Sequence, residues 1–185
     1  MLSNHTRLAV FLDRDGVINR SVVINGKPYA PANLAAMEIL PGVPDALAAL
    51  SGAGFLLIVI TNQPDVARKT TSKAAVEDIN TYLSNNLPID EFRTCFHIDD
   101  DQCDCRKPSP GSLLAAATEH HIDLTHSYMI GDRWRDIEAG QRAGCKTIFI
   151  DYGYDEKQPT SMDFSVQTLM EAAQIILREK KHGTR

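Results

Sequence analysis

A chain of 185 residues can bury a core as one domain without disulfide staples, and its hydrophobic fraction of 43% and charged fraction of 23% are those of an ordinary soluble globular protein. A formal net charge of −5 argues against general nucleic-acid binding, because the only basic cluster, Arg178 to His182, reads as a solvated helix end. The longest apolar run, Phe55 to Ile60, falls far short of the roughly 20 residues of a membrane span, and the first residues lack a signal peptide's apolar region, so a cytoplasmic location is expected.

In chain order, Leu8 to Leu12 is the first strand candidate, and Asp13 and Asp15 follow it where a strand would leave the core. Alternation along a strand lets acids two apart address one small volume. Val22 to Ile24, the turn Asn25-Gly26 and Lys27 to Tyr29 predict a small hairpin or flap within about 20–40. Pro41-Gly42 and Pro44 open a helix with Val43, Leu47 and Leu50 inward, closing near Gly52 to Gly54. Phe55 to Ile60 has the unbroken apolar pattern of a strand covered on both faces and ends at Thr61-Asn62-Gln63.

A second helix is expected over about 72–85, then a strand over Phe92 to Phe96, a loop from Cys95 to Cys105 and a third helix after Pro108 to Pro110. Tyr128 to Ile130 is a further strand, which Gly131-Asp132 turns into a helix over about Trp134 to Ala143. Lys146 to Ile150 is the last core strand expected, and Leu169, Ala172, Ala173 and Ile176 mark a terminal helix over about 166–180. The alternation predicts a single Rossmann-like α/β domain over 1–185, a parallel sheet with helices on both faces. Ligands of such sheets bind beyond the carboxyl ends of the strands, where Asp13/Asp15, Thr61-Asn62 and Asp132 all fall.

Cys95-x-His97, a five-residue gap and Cys103-x-Cys105 supply three thiolates and an imidazole, a closed set suited to structural Zn2+ rather than to a redox pair. The loop ends one residue before Arg106-Lys107, so Zn2+ is expected to position those cations. Cys145 reads as a packed residue and Trp134 as packing. His120, His121 and His126 surround a helix end without metal-like partners.

Asp13 to Asn19, Thr61 to Gln63, Arg106 to Pro108 and Gly131 to Asp136 resemble, in order and spacing, the four motifs of the haloacid-dehalogenase-like phosphatases. The resemblance runs from about Leu8 to Ile150. It is greatest to the capless zinc-loop branch that contains the D-glycero-D-manno-heptose 1,7-bisphosphate and histidinol-phosphate phosphatases. It implies a phosphatase working through an aspartyl-phosphate, with Asp13 as nucleophile, Asp15 as acid and base, Thr61 bonding the phosphoryl oxygens and Lys107 neutralising transition-state charge. It assigns Mg2+ to the Asp13 carboxylate, the Asp15 backbone carbonyl and Asp132, and leaves Asp136 as either a metal ligand or a support.

Asn62, Arg106 and Arg133 are expected at a small phosphorylated substrate, a sugar bisphosphate of heptose type. Histidinol phosphate is the alternative, because the five-residue zinc-loop gap resembles that branch. A polynucleotide 3′-phosphatase and a zinc-stabilised binding module are weaker alternatives, and the chain is expected to be a monomer or weak homo-oligomer. The flap over Ser21 to Tyr29 and the loop Pro64 to Lys69 depart from both branches.

Overall fold

The structure is a computed structural model and describes residues 6–183. The expected domain span of 1–185 therefore includes residues 1–5 and 184–185, which lie outside the described residues, as do the first residues on which the expectation of no leader rested.

Six parallel strands form one sheet: β1 (Ala9–Leu12), β4 (Leu56–Asn62), β5 (Glu91–Cys95), β6 (Tyr128–Gly131), β7 (Lys146–Ile150) and β8 (Phe164–Val166), in the spatial order β5-β4-β1-β6-β7-β8. A separate antiparallel hairpin, β2 (Val22–Ile24) and β3 (Lys27–Tyr29), turns at Asn25-Gly26 as its sequence predicts. The crossovers are α1 (Val43–Gly52), α2 (Lys73–Asn86), α3 (Gly111–His120) and α4 (Trp134–Ala143), and α5 (Leu169–Gly183) closes the described chain.

Alternation along the central strand divides the core. Val10 and Leu12 pack with Leu47 and Leu50 of α1, Ile79 and Leu83 of α2, and Ala172 and Ile176 of α5. Ala9 and Phe11 face the other way, toward Leu113 and Ala116 of α3 and Ala139 and Ala143 of α4. Both faces of the sheet are thus covered, which is why β1 and β4 read as unbroken apolar runs. Truncating one of these fully buried leucines, such as Leu57, would cost about 2–5 kcal/mol.

The expectation that Lys146 to Ile150 is the last core strand needs correction, because β8 pairs in parallel with β7 at the sheet edge. Side chains stitch that edge. The Asp163 carboxylate accepts bonds from the Thr147 backbone N–H (2.7 Å) and hydroxyl (2.9 Å), so three residues with one buried side chain, Val166, suffice as a strand. Smaller corrections concern β5, which spans Glu91–Cys95 rather than 92–96, and α5, which begins at Leu169 and runs to Gly183. No helix among the described residues is long and apolar enough to cross a membrane.

Candidate active site

The two central strands deliver the acids. Asp13 continues the β1 ladder, its N–H donating to the Ile130 carbonyl of β6 (2.9 Å), and Asp132 follows the last residue of β6. Between them the chain turns at Gly16, whose φ of +89° is in the region open to glycine. A Cβ there would lie 1.8 Å from Asp132 Oδ2, so the glycine is also what lets that carboxylate into the site. Gly131 does the same for Asp136, whose Cβ would stand 2.0 Å from a Cβ at 131.

Lys107 enters from the loop after β5 and is buried. Its Nζ lies 2.7 Å from Asp13 Oδ1, 2.7 Å from Asp136 Oδ1 and 2.5 Å from the Ile60 carbonyl. Its backbone is clasped by Asn62, whose amide nitrogen donates to the Lys107 carbonyl (3.0 Å) and whose oxygen accepts the Lys107 N–H (3.1 Å). Asp15 is held by three side chains: Arg14, Asn19 Nδ2 (2.9 Å) and Gln63 Nε2 (2.7 Å). Gln63 Nε2 also donates to Thr61 Oγ1 (2.9 Å), tying the second strand end to the first.

Asp13, Asp132 and Asp136 lie close enough for their oxygens to share one ion, and all three are buried. Against these three carboxylates stands one ammonium, Lys107, so the cluster lacks two positive charges. Burial pushes the Asp13 carboxyl up to about 7 against the opposing pull of Lys107, with Asp136 and Asp15 adding to the rise. Burial likewise holds the Asp132 carboxyl well above the usual range, with Asp13 and Asp136 adding to it. Lys107 is raised above the ordinary lysine range because Asp13 and Asp136 outweigh the opposing effect of burial. Both Asp132 oxygens are buried without a hydrogen bond of good geometry, and the Tyr154 phenol nearby offsets only part of the strain. An all-oxygen set, short of two charges and holding an unpaired carboxylate, fits a hard divalent cation such as Mg2+.

The second cluster lies at the end of β5. Cys95 Sγ is 3.0 Å from Cys105 Sγ and 3.7 Å from Cys103 Sγ, while His97 Nδ1 is 3.5 Å from Cys95 Sγ and 3.3 Å from Cys105 Sγ. A tetrahedral zinc site with bonds of about 2.3 Å to sulfur has edges of this order. The four side chains fit Zn2+, and no fifth donor is needed.

A family model described as HAD-hydrolase-like matches residues 104–172. The D-glycero-beta-D-manno-heptose-1,7-bisphosphate 7-phosphatase of Escherichia coli K12 is 32% identical over 188 aligned residues, covering 94% of this chain and 95% of the relative. The enzyme of the same name from Salmonella typhi is 36% identical over 151 residues, covering 75% and 77%. The chain belongs to the haloacid-dehalogenase-like phosphatases. The crystal structure of a family member, D,D-heptose 1.7-bisphosphate phosphatase from B. bronchiseptica complexed with magnesium and phosphate, superposes with a TM-score of 0.77 at 28% identity, covering 94% of this chain and 99% of that one.

The residues singled out from the family motifs gather at one cleft of about 220 Å³, whose lining includes Asp13, Asp15, Asn62, Arg106, Lys107 and Arg133. Thr61 and Asp132 are buried and are not part of that lining, Asp132 packing beside Gly16. Asn62 lines the cleft but engages its amide with the Lys107 backbone. Arg133 is gripped by both oxygens of Glu156 (2.9 and 3.1 Å from Nε), and this pairing raises the guanidinium despite its burial. Asp136 bridges the Lys107 ammonium and the Arg133 N–H (3.0 Å) at the start of α4, where a carboxylate also meets the helix dipole.

Several participants lie outside the family motifs or have no role assigned within them. Arg14 is fully buried and reaches from Asp15 to Asn80 Oδ1 (2.9 Å) on α2. Its signal was Asn80 itself, a polar residue one turn from Val76 on the helix's inward face. Glu156 and Tyr154 arrive from an irregular segment that carries no motif. His120 does have a carboxylate partner, contrary to expectation: its Nε2 lies 2.7 Å from Glu91 Oε2, with Glu119 close by. The Arg93 guanidinium already pairs with both glutamates, so this group is a charge network. Cys145 is buried as expected, its thiol pushed up to about 12 by burial.

Proposed function

We propose that the chain is a phosphatase that hydrolyses one phosphomonoester of a small sugar bisphosphate, of the heptose 1,7-bisphosphate type on which its relatives are named, in the cytoplasm. The observation that carries this reading is the buried cluster in which Asp13 and Asp136 share Lys107 while Asp132 stays unpaired, at the ends of the two central strands.

In this reading an Asp13 oxygen attacks phosphorus as the bond to the sugar oxygen breaks, and the departing alkoxide takes a proton from Asp15. Asp15, now a carboxylate, then takes a proton from water. The water oxygen attacks the aspartyl-phosphate, the bond to Asp13 breaks and inorganic phosphate leaves. Thr61 and Lys107 donate to the phosphoryl oxygens through both steps, and Asp136 keeps the Lys107 ammonium aimed at them. Mg2+ held by Asp13, the Asp15 carbonyl and Asp132 supplies neutralisation of the phosphoryl charge. Zn2+ bound by Cys95, His97, Cys103 and Cys105 braces the loop that carries Arg106 and Lys107.

The cleft is smaller than the roughly 300–1,000 Å³ of drug-sized ligand pockets, which supports a small metabolite. Phosphate release is to be measured from heptose 1,7-bisphosphate, histidinol phosphate and a 3′-phosphorylated oligonucleotide. The expected result is a kcat/KM at least tenfold higher for the sugar bisphosphate. A preference for histidinol phosphate reassigns the substrate, and binding without release from any of the three overturns the enzymatic reading.

A further inference from the structure

In the lining of the cleft, two guanidiniums share one carboxylate. Asp99, in the zinc loop, accepts from Arg106 Nε (2.8 Å) and from Arg135 Nη1 (3.1 Å) and Nη2 (3.4 Å). The other cations of the lining, Lys27 apart, each have their own acid: Lys107 holds Asp13 and Asp136, Arg133 holds Glu156 and Arg68 holds Asp65. Arg106 and Arg135 therefore carry one positive charge more than Asp99 cancels. Lys27 of the hairpin also lines the cleft and has no ion-pair partner among the described residues.

The pair is also unequally satisfied. The Arg106 side chain is only 10% exposed, and its Nη1 is buried without any hydrogen-bond acceptor. Arg135 sits over the Trp134 ring, its Cζ 4.7 Å from the centroid, a contact that helps orient the fork before any ligand arrives. Asp99, by contrast, is 54% exposed and regains water on leaving. Under-neutralised donors facing an exposed acceptor describe an anion seat occupied by an internal substitute.

We propose that Arg135, together with Arg106, binds the second, non-reacting phosphate of the substrate, and that Asp99 holds this seat in the free protein and is displaced when the bisphosphate binds. The proposal rests on the sugar-bisphosphate reading and extends it to selectivity. Two guanidinium forks match a phosphate dianion better than a lone carboxylate does, so a doubly phosphorylated substrate displaces Asp99 and a singly phosphorylated one leaves it in place. Competition from Asp99 lowers the apparent affinity for a ligand that uses the seat by the fraction of time the seat is taken, and leaves a ligand without the second phosphate unaffected.

The test compares wild type, Arg135→Gln and Asp99→Asn, each with Mg2+, on heptose 1,7-bisphosphate and on heptose 7-phosphate, which keeps the reacting phosphate and lacks the other. The readout is the ratio of kcat/KM for the bisphosphate over that for the monophosphate. Arg135→Gln should lower this ratio about tenfold, and Asp99→Asn should raise it a few-fold through a lower KM for the bisphosphate. Heptose 1-phosphate, the product that retains the second phosphate, should inhibit Arg135→Gln more weakly than wild type, relative to inhibition by inorganic phosphate. Asp99→Asn reports independently of whether Arg135→Gln folds, which thermal melting checks. Ratios unchanged in both variants, with wild type active on both compounds, overturn this proposal alone. A wild type that releases phosphate from neither overturns the phosphatase reading and this proposal with it.

Discussion

Asn62 holds Lys107 by its main chain, donating to its carbonyl and accepting from its N–H, so the end of β4 and the loop after β5 are locked in register. The lysine that faces Asp13 is therefore positioned from both ends, by this clasp at its backbone and by two carboxylates at its ammonium.

Asn62→Ala should lower kcat about tenfold or more while shifting KM little, because the clasp aims Lys107 at charge that grows in the transition state. Two partly buried hydrogen bonds are lost, so stability should fall by about 1–3 kcal/mol. Steady-state kinetics alongside chemical denaturation check this; a rise in KM at constant kcat would mean that Asn62 serves as a substrate contact.

Asp13→Asn should abolish turnover while the protein still folds, because the amide fills the same space and can still accept from Lys107. Circular dichroism and a phosphate-release assay suffice. Residual activity within a hundredfold of wild type would remove Asp13 as the nucleophile.

Stability without metal should fall as pH rises. Asp13 titrates near 7 in the folded protein and near 3.8 unfolded, so the folded state binds the extra proton between these values. The cost of ionising it grows from about pH 4 to about pH 7 and then levels off. Asp132 is raised for the same reason and adds with the same sign. The stabilisation that Lys107 draws from its two partners is lost only as pH rises through its raised value, far above this window. Mg2+ should therefore raise Tm more at pH 8 than at pH 5, as thermal melts would show, and an equal rise at both would contradict the buried, underpaired cluster. Asp132→Asn should stabilise the metal-free protein by about 1–3 kcal/mol at pH 8 and erase the Mg2+ effect.

Removing zinc should raise KM and lower activity with little loss of helical signal, because the thiolate loop hangs from the edge strand β5 and bears directly on Arg106 and Lys107. Chelation followed by circular dichroism and kinetics tests this. Equal loss of helix and activity would make the metal a determinant of the whole fold.

The sheet was readable because strands buried on both faces must be apolar at every position, as in Phe55 to Ile60. The edge strand β8 was not, since Phe164 to Val166 buries one side chain and depends on Asp163 reaching across to Thr147. The candidate acids Asp13, Asp15 and Asp132 stood out because they follow strands in a recognisable order. Their supports did not: Glu156 finds Arg133, and Asp99 finds Arg135, through contacts from distant loop segments to the start of α4, a pairing that leaves no periodic trace.

Asp13 and Asp132 ride on β1 and β6, flanked on both sides by other strands, whereas the zinc loop hangs from the outermost strand and the hairpin stands outside the sheet altogether. Replacing the hairpin would leave the inner ladder and its acids untouched, whereas replacing the zinc loop would also disturb Lys107, which that loop carries to Asp13 and Asp136.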